Sequence, residues 1–103
     1  MNAETAWYAT DRKDNALVTA TKAAEANVKQ VITSIAAAFS GAATKTLIIK
    51  EGTTAKITLD VVNSLQLDNL ELEFAAGAAV SAELAASGAS GVYGSVLLNG
   101  YTK

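Results

Sequence analysis

The amino-acid sequence predicts an all-β fold: an antiparallel β-sandwich, and more specifically a jelly roll of about eight strands. The first observation is that short segments with alternating apolar and polar residues recur along the chain. The second is that turn-forming residues separate these segments at regular spacing, which is typical of sandwiches and barrels; the jelly roll is the common eight-stranded form. The 103 residues suffice for one domain, so we expect a single sandwich over residues 1–103.

The clearest element is a β-hairpin over residues 45–61, in which apolar and polar residues alternate on both sides of Glu51-Gly52. A two-residue loop at this point would split the apolar face of the hairpin, whereas a loop with an odd number of residues keeps it together. The residues that such a loop places on one side are Leu47, Ile49, Ala55 and Ile57. A three-residue loop is one example, so we predict a loop with an odd number of residues and with Gly52 in the left-handed region, and Ile48 is then left on the polar face.

Two apolar sets of opposite parity meet at Asp68-Asn69, where a turn or bulge would let both sets face the core. The sets are Leu65 and Leu67 before this point, and Leu70, Leu72 and Phe74 after it. A further alternating strand covers residues 80–84, and a loop of glycine, serine and alanine covers residues 87–91.

The last strand runs from about Val92 to Tyr101 and is apolar on both faces. Valine and leucine lie on one face, whereas Tyr93, Leu97 and Tyr101 lie on the other. A strand of this kind is either central and covered on both sides, or it faces a partner.

Near the start, two short strands are predicted over Ala6–Thr10 and Leu17–Thr21, with Asp11–Asn15 as the polar turn between them. Residues 22–39 allow two interpretations. Apolar residues recur there at helical spacing and alanine favours a helix, but β-branched residues cluster in the second half. We favour a strand over residues 28–39, because the antiparallel pattern around it needs that piece.

Composition excludes several classes of function. The chain has no cysteine and no histidine, which rules out disulfides, the usual zinc sites and the Ser-His and Cys-His nucleophile pairs. A net charge of −2 leaves no basic footprint for nucleic acid, and no run of ~18 apolar residues is present for a membrane span. Residues 1–8 lack the layout of a signal peptide, which fits synthesis in the cytoplasm. We expect no enzyme activity, no cofactor, no nucleic-acid partner and no membrane partner.

Two acidic patterns have structural interpretations that we prefer to functional ones. Glu71 and Glu73 are spaced by two on a strand, which describes a solvated face rather than an enclosed acid–base pair. Asp11, Asp14 and Asn15 offer oxygen ligands in a short segment. They lack the ligand number and the glycine of a calcium loop, so turn formation explains them better. We predict no catalytic site and no metal site.

Several apolar side chains have no evident place in the core, and we interpret them as candidates for contact with a partner. These interface candidates are Trp7, Tyr8, Ile48, Tyr93 and Tyr101. Aromatic residues are enriched among the side chains that dominate binding at protein interfaces. The alternative is that each of them belongs to the core of a thin sandwich. If Trp7, Ile48 and Tyr101 are all fully buried within one subunit, the interface interpretation loses its basis.

Several stretches of the chain resemble small structural proteins encoded in the genomes of tailed bacteriophages. The stretches are Ala6-Trp7-Tyr8-Ala9-Thr10, Val31-Ile32-Thr33-Ser34-Ile35, Phe39-Ser40, Ala42-Ala43-Thr44, Leu47-Ile48-Ile49-Lys50-Glu51-Gly52, Ala79-Val80-Ser81-Ala82-Glu83-Leu84-Ala85-Ala86-Ser87-Gly88 and Asn99-Gly100-Tyr101-Thr102. Together they extend over nearly the whole chain, and they are strand and turn sequences rather than catalytic motifs.

The resemblance implies a capsid cement or decoration protein, which binds the outer surface of the major capsid lattice and stabilises the head. It also implies a jelly-roll subunit, commonly a homotrimer, on the exterior of the virion. The partner would be the major capsid protein, clamped at capsomer junctions against the internal pressure of the DNA. The alternative function is a trimeric head- or tail-fibre tip that binds host-surface carbohydrate through exposed aromatic side chains.

Overall fold

The computed structural model describes residues 5–103, which form nine β-strands and no helix. The strands are β1 (Thr5–Asp14), β2 (Val18–Lys22), β3 (Gln30–Phe39), β4 (Thr44–Glu51), β5 (Thr54–Val62), β6 (Ser64–Leu67), β7 (Leu72–Glu73), β8 (Val80–Leu84) and β9 (Tyr93–Thr102). The predicted all-β class is therefore confirmed. Within residues 5–103, no helix is long and apolar enough to cross a lipid bilayer.

The strands pair as nested antiparallel hairpins, which is the arrangement of a jelly roll. β4 pairs with β5, β3 with β6 and β7, β2 with β8, and β1 with β9. Pairing of β9 with β3 and of β8 with β4 then gives a first sheet, β1-β9-β3-β6/β7, and a second sheet, β2-β8-β4-β5. Counting β6 and β7 as one interrupted strand, since both pair with β3, yields the eight strands that the sequence predicts.

The core lies between the two sheets and is built from alternate residues of each strand. Ile35 and Leu98 of the first sheet and Leu47, Ile49 and Leu84 of the second are at most 1% exposed. Burying a side chain of this size contributes about 1.5–3 kcal/mol. Because successive side chains of a strand point to opposite faces, each sheet also presents an outward face.

The hairpin between β4 and β5 is confirmed, but the predicted loop with an odd number of residues is wrong. Glu51 pairs directly with Thr54, so the loop contains Gly52 and Thr53 alone. Gly52 has a φ of +61°, which confirms its predicted left-handed conformation. The register then shifts by one residue, and Lys56 is left as a bulge in β5.

The bulge at Lys56 brings the apolar residues of β4 and β5 to the same side, which we had expected the loop to do. Beyond it, Ile49 pairs with Ile57 and Leu47 pairs with Leu59, so apolar residues of both strands face the core. The predicted inward position of Ala55 is wrong, since this residue is exposed next to the turn. One extra residue in a strand therefore does what an extra residue in the turn would have done.

In the first half of the chain, the strand interpretation of residues 28–39 is confirmed as β3, and the helical alternative is wrong. Val31 and Ile32 are fully buried in this strand, and a register shift follows Ile32. β1 is longer than predicted, because the residues up to Asp14 belong to the strand rather than to a turn. The turn is formed around Asn15, which has a φ of +44°.

The predicted interruption at Asp68-Asn69 is also confirmed. β6 ends before it, and Asn69 adopts a φ of +57°. After the interruption, Phe74 is fully buried, whereas Leu72 is half-buried. The strand β9 is central in the first sheet, between β1 and β3, but it is covered on one face, since Leu97 is 37% exposed.

Candidate contact face

The outward side of the first sheet forms a continuous surface across four strands. Directly paired residues of antiparallel strands lie on the same face of a sheet. The pairings therefore define three outward rows: Tyr8–Asn99–Ser34, Thr10–Leu97–Ala36–Gln66 and Arg12–Ser95–Ala38–Ser64. We call the surface formed by these rows, together with Tyr93, the contact face.

The contact face exposes three large apolar side chains, of which Leu97 lies near its centre. Tyr8 is 72% exposed, and Leu97 and Tyr93 are each 37% exposed. Tyr8 and Leu97 lie diagonally across the β1–β9 pair, since Tyr8 pairs with Asn99 and Thr10 pairs with Leu97. Diagonal neighbours of this kind lie within reach of each other's side chains, so the two form one apolar patch.

A shallow hollow adjoins this patch on the same face. It has a volume of about 230 Å³ and lies over β9, β3 and β6. Its outward-facing lining consists of Thr10, Ala36, Ala38, Ser64, Gln66, Ser95 and Leu97. Small side chains make up most of this lining, so the backbone of β3 lies close to the surface there.

One end of the contact face carries a group of ion pairs. Glu73 accepts hydrogen bonds from Lys29 at 2.9 Å and from Lys103 at 3.0 Å. The two hydrogen bonds, first from Lys29 and then from Lys103, hold the pKa of Glu73 below its ordinary value. The hydroxyl of Tyr101 lies 3.3 Å from a carboxylate oxygen of Glu71 and donates a hydrogen bond to it.

The other end of the contact face carries a balanced pair of charges. The guanidinium of Arg12 lies 4.2 Å from the centre of the Tyr93 ring, in a cation–π contact. Asp14 accepts a 2.8 Å hydrogen bond from the backbone amide of Gly91. The contact face thus has an uncharged centre with charged groups of both signs at its ends.

The outward side of the second sheet is different, and we call it the threonine face. Its outward residues include Thr19, Thr21, Thr46, Thr58 and Ser81. Lys50 and Glu83 form a salt bridge across β4 and β8 at 3.0 Å. Ile48, which pairs with both Thr58 and Glu83, is a half-buried apolar residue within this polar surface.

The structure separates the five predicted interface residues into three places. Tyr8, Tyr93 and Tyr101 lie on the outward side of the first sheet. Ile48 lies on the threonine face, on the opposite side of the molecule. Trp7 points to the inner side, where it is half-buried and packs against the core. None of Trp7, Ile48 and Tyr101 is fully buried, so the interface interpretation keeps its basis and stays a prediction.

The Trp7 ring depends on the absence of a side chain at position 100. A Cβ atom at Gly100 would lie 2.6 Å from Cζ2 of Trp7 and would overlap the carbonyl oxygen of Val31. The indole Nε1 is buried and has no hydrogen-bond partner among the described residues. The ring therefore acts as packing beneath the first sheet rather than as part of its outward surface.

The acidic and amide residues near the first turn are engaged in loop structure. The side chains of Asp14 and Asn15 each accept a 2.8 Å hydrogen bond, from the backbone amides of Gly91 and Gly88 respectively. Asp11 accepts a 3.0 Å hydrogen bond from the backbone amide of Thr19. The bonds of Asp14 and Asn15 tie the β1–β2 turn to the loop before β9, and the bond of Asp11 joins β1 to β2. Within residues 5–103, no group of three or more acidic, histidine or cysteine side chains is placed to hold a metal ion.

No protein-family model matches the chain, and no curated protein sequence matches it either. The contact face is thus defined by its geometry alone. Sequence reasoning identified its two tyrosines, Tyr8 and Tyr93, but missed the hollow. The sequence signal for the hollow was the run Ala36-Ala37-Ala38 within a predicted strand. Alanine is depleted in strands, so strand propensity does not account for this run.

Proposed function

We propose that this chain is a structural subunit of a tailed-phage virion: a cement or decoration protein that binds the outer surface of the major capsid lattice. The observation that carries the proposal is the contact face, an exposed apolar surface on one side of a jelly-roll domain. Jelly rolls recur in viral capsid proteins. The resemblance to small phage structural proteins supplies the virion context.

The chemistry of the contact face supports a role in assembly. Protein interfaces combine an apolar, charge-depleted centre with a polar rim, and aromatic residues are enriched at their centres. The exposed Tyr8 and Leu97 provide such a centre, and the Glu73 and Arg12 ends provide such a rim. A subunit that joins other copies can engage several sites of a symmetric lattice together, which raises its overall affinity through avidity.

Under the proposal, the genome that encodes this chain also encodes a major capsid protein, and the test is a binding experiment with empty, expanded heads assembled from that protein. We expect the purified chain to co-sediment with the heads at a fixed ratio and to raise the temperature at which they rupture. Unexpanded proheads are the matched control, since a cement protein recognises the expanded lattice. Absence of co-sedimentation at micromolar concentration, with folded protein and intact heads, would overturn the proposal.

A second candidate function is a trimeric head- or tail-fibre tip that binds host-surface carbohydrate. It is favoured by the exposure of Tyr8, which is 72%, beside a hollow that also offers Gln66, Thr10 and Ser95. Aromatic rings stack on sugar faces, and such polar groups can bond to hydroxyls. A glycan array with the wild-type chain and with Tyr8→Ala separates the two functions. Specific, Tyr8-dependent glycan binding without binding to heads would favour the fibre tip.

A further inference from the structure

The Asn99-Gly100 peptide bond lies within β9, which is paired on both sides, with β1 and with β3. We infer that this bond is a latent deamidation site: the fold keeps it closed, and a subunit whose first sheet opens is converted there into a chemically altered form. The reaction takes place within one chain, so it does not depend on what the contact face binds.

The chemistry of the site follows from the dipeptide. The backbone nitrogen of Gly100 attacks Cγ of Asn99 and forms a C–N bond, and the side-chain nitrogen leaves as ammonia, which takes up the proton of the Gly100 amide. Water then opens the resulting succinimide, at Cγ to give aspartate or at the main-chain carbonyl carbon to give isoaspartate. A side chain on the following residue hinders the attack, and glycine has none. The other asparagines, at positions 2, 15, 27, 63 and 69, precede alanine, valine, serine or leucine.

Packing accounts for the presence of this reactive dipeptide in a strand. A Cβ atom at Gly100 would overlap the carbonyl oxygen of Val31 and lie 2.6 Å from Cζ2 of Trp7, so glycine is required there. Asn99 donates a 2.9 Å hydrogen bond from Nδ2 to Oγ of Ser34 across the β9–β3 pair. Both residue types are depleted in strands, so strand propensity does not account for either of them.

The same geometry prevents the reaction in the folded chain. Attack requires the backbone of Asn99 to rotate far from the extended conformation of a strand. That rotation would break the pairing of Asn99 with Tyr8 on one side and with Ser34 on the other. The main-chain oxygen of Asn99 also accepts a 3.2 Å hydrogen bond from Oγ1 of Thr33. Deamidation therefore requires the sheet to open around residue 99.

Detachment of β1 is the opening that exposes the site. β3 contributes fully buried side chains to the core, Ile32 and Ile35 among them, whereas no side chain of β1 is fully buried. Trp7 and Ala9 pack against the core from β1, and Nε1 of Trp7 is buried without a partner among the described residues. Segments with few buried apolar contacts open at a lower free energy than the rest of a fold. On its other side, β9 has a register shift in its pairing with β3 directly beside Asn99.

The product would alter the contact face irreversibly. Aspartate or isoaspartate places a carboxylate in the outward row Tyr8–Asn99–Ser34, which carries no charge. Isoaspartate also adds one atom to the main chain, which disturbs the alternation of side chains in β9 beyond residue 99. A subunit that has stayed open long enough to react would therefore not close again to the same sheet.

The first test compares the folded chain with the chain unfolded in guanidinium chloride, both incubated at mildly alkaline pH. Peptide mass spectrometry follows the replacement of an amino group by a hydroxyl group at each asparagine, and isoaspartyl methyltransferase labels isoaspartate. We expect Asn99 to react first in the unfolded chain, and to react about 100-fold more slowly or less in the folded chain, because only the open fraction reacts. Asn99→Gln is the control, since its longer side chain would have to form a larger ring, and it should lose the fast reaction.

The second test addresses the detachment of β1. Trp7→Ala removes the largest contact of β1 with the core and should speed deamidation of Asn99 in the folded chain about tenfold or more, by raising the open fraction. Ile48→Ala is the matched control, because it truncates a half-buried side chain in the second sheet. Urea denaturation gives the free energy of unfolding of both variants, so an effect of global stability can be subtracted. Ala9→Gly is the milder variant of β1 if Trp7→Ala does not fold.

Three outcomes would contradict the inference. If another asparagine reacted before Asn99 in the unfolded chain, the dipeptide would not be the reactive site. If Asn99 reacted as fast in the folded chain as in the unfolded one, the fold would not protect it. If the β1 variants and Ile48→Ala changed the rate only in proportion to their free energies of unfolding, the site would open by global unfolding and not by detachment of β1. None of these measurements involves capsid heads, so a failure of the proposed function would leave their outcomes unchanged.

Discussion

The two outward faces of the sandwich differ in side-chain chemistry although they are presented by the same fold. The threonine face carries hydroxyl groups on neighbouring strands and the salt bridge between Lys50 and Glu83. Threonine has high strand propensity and its hydroxyl remains hydrated, so these positions suit contact with water. Val62, on the same side of β5, is the exception, since it is 61% exposed. The contact face instead carries Tyr8, Leu97 and outward alanines.

Strand formation explains the residues of the threonine face but not those of the contact face. Alanine is depleted in strands, and its outward use at Ala36 and Ala38 leaves the sheet surface open. Small residues at such positions let another surface approach the backbone closely. The residue type at an outward strand position therefore indicates whether that position serves the strand, the solvent or a partner.

The largest effect expected from a single substitution is at Gly100, beneath the contact face. Gly100→Ala would place a Cβ against the carbonyl of Val31 and the ring of Trp7. We expect a loss of about 3 kcal/mol in the free energy of unfolding, since overpacking typically costs 1–3 kcal/mol and backbone yields less than a side chain. Urea denaturation measures this value.

The matched variant in the second sheet is Gly52→Ala. Gly52 has a φ of +61°, and an added Cβ would meet nothing within 4 Å. The cost is therefore conformational, at about 1–2 kcal/mol. If Gly52→Ala were as destabilising as Gly100→Ala, the close packing of Trp7 beneath the first sheet would not be a principal support of the contact face.

One substitution on each outward face should separate an effect on binding from an effect on the free energy of unfolding. Tyr8→Ser removes an exposed ring from the contact face and should weaken the proposed binding to expanded heads about tenfold or more, as expected for an interfacial tyrosine. It should leave the free energy of unfolding nearly unchanged. Ile48→Ser should do the reverse, because Ile48 is half-buried in the threonine face and contributes to folding. Co-sedimentation with expanded heads measures the binding, and urea denaturation measures the free energy of unfolding. If one variant lost more than the other in both assays, the distinction between the two faces would be wrong.

A smaller effect concerns the bulge that aligns the second sheet. Deletion of Lys56 leaves Ile49 opposite Ile57 in a regular hairpin, so the inward set is preserved. Lys56 also contacts the Phe74 ring at 4.9 Å and pairs with Glu51 at 3.2 Å. We expect a cost of about 1 kcal/mol, because exposed ion pairs and cation–π contacts each contribute less than that.

Deletion of Thr58 is the control for the bulge. It would bring Lys56 opposite Ile49, on the inward side, and would turn Ile57 outward. This variant should lose clearly more stability than the deletion of Lys56 in the same urea titration. Equal losses would mean that register in this hairpin is not fixed by the inward apolar residues.

Most of the fold was predictable because period-two alternation reports directly which side of a strand is buried. The position of the bulge was not, since an odd loop and an extra strand residue restore parity equally well, and alternation alone does not choose between them. The helical spacing in residues 22–39 also misled in part, because alanine propensity is local, whereas the pairing of β3 with both β6 and β9 is a tertiary effect.

The candidate site was predictable in part for a similar reason. Tyr8, Tyr93 and Tyr101 stood out as aromatic residues without a core position, and they share the outward side of one sheet. Trp7 did not follow them, because it is adjacent to Tyr8 in the chain and so points to the opposite side of β1. The hollow depends on Ala36, Ser95 and Ser64 coming together from three strands, and sequence spacing does not report such a meeting.

The smallest expected effect is a pH dependence that again differs between the two sheets. The pKa of Glu73 is lowered chiefly by hydrogen bonds from Lys29 and Lys103, and the pKa of Glu51 chiefly by the backbone amide of Ala75. A carboxylate with a lowered folded-state pKa stabilises the protein above its ordinary pKa of 4.5. That stabilisation is lost as the pH falls through the lower folded value.

Melting temperatures between pH 7 and pH 3 should therefore fall less in Glu73→Gln and in Glu51→Gln than in the wild type. Salt should separate the two variants. The contribution of Glu73 comes from exposed ion pairs, which salt screens, so at high salt Glu73→Gln should resemble the wild type. The contribution of Glu51 comes first from a 2.8 Å bond to a backbone amide, which salt weakens less. If salt removed both differences equally, Lys56 rather than the amide would hold Glu51, and the second sheet would depend on its surface charges as much as the first.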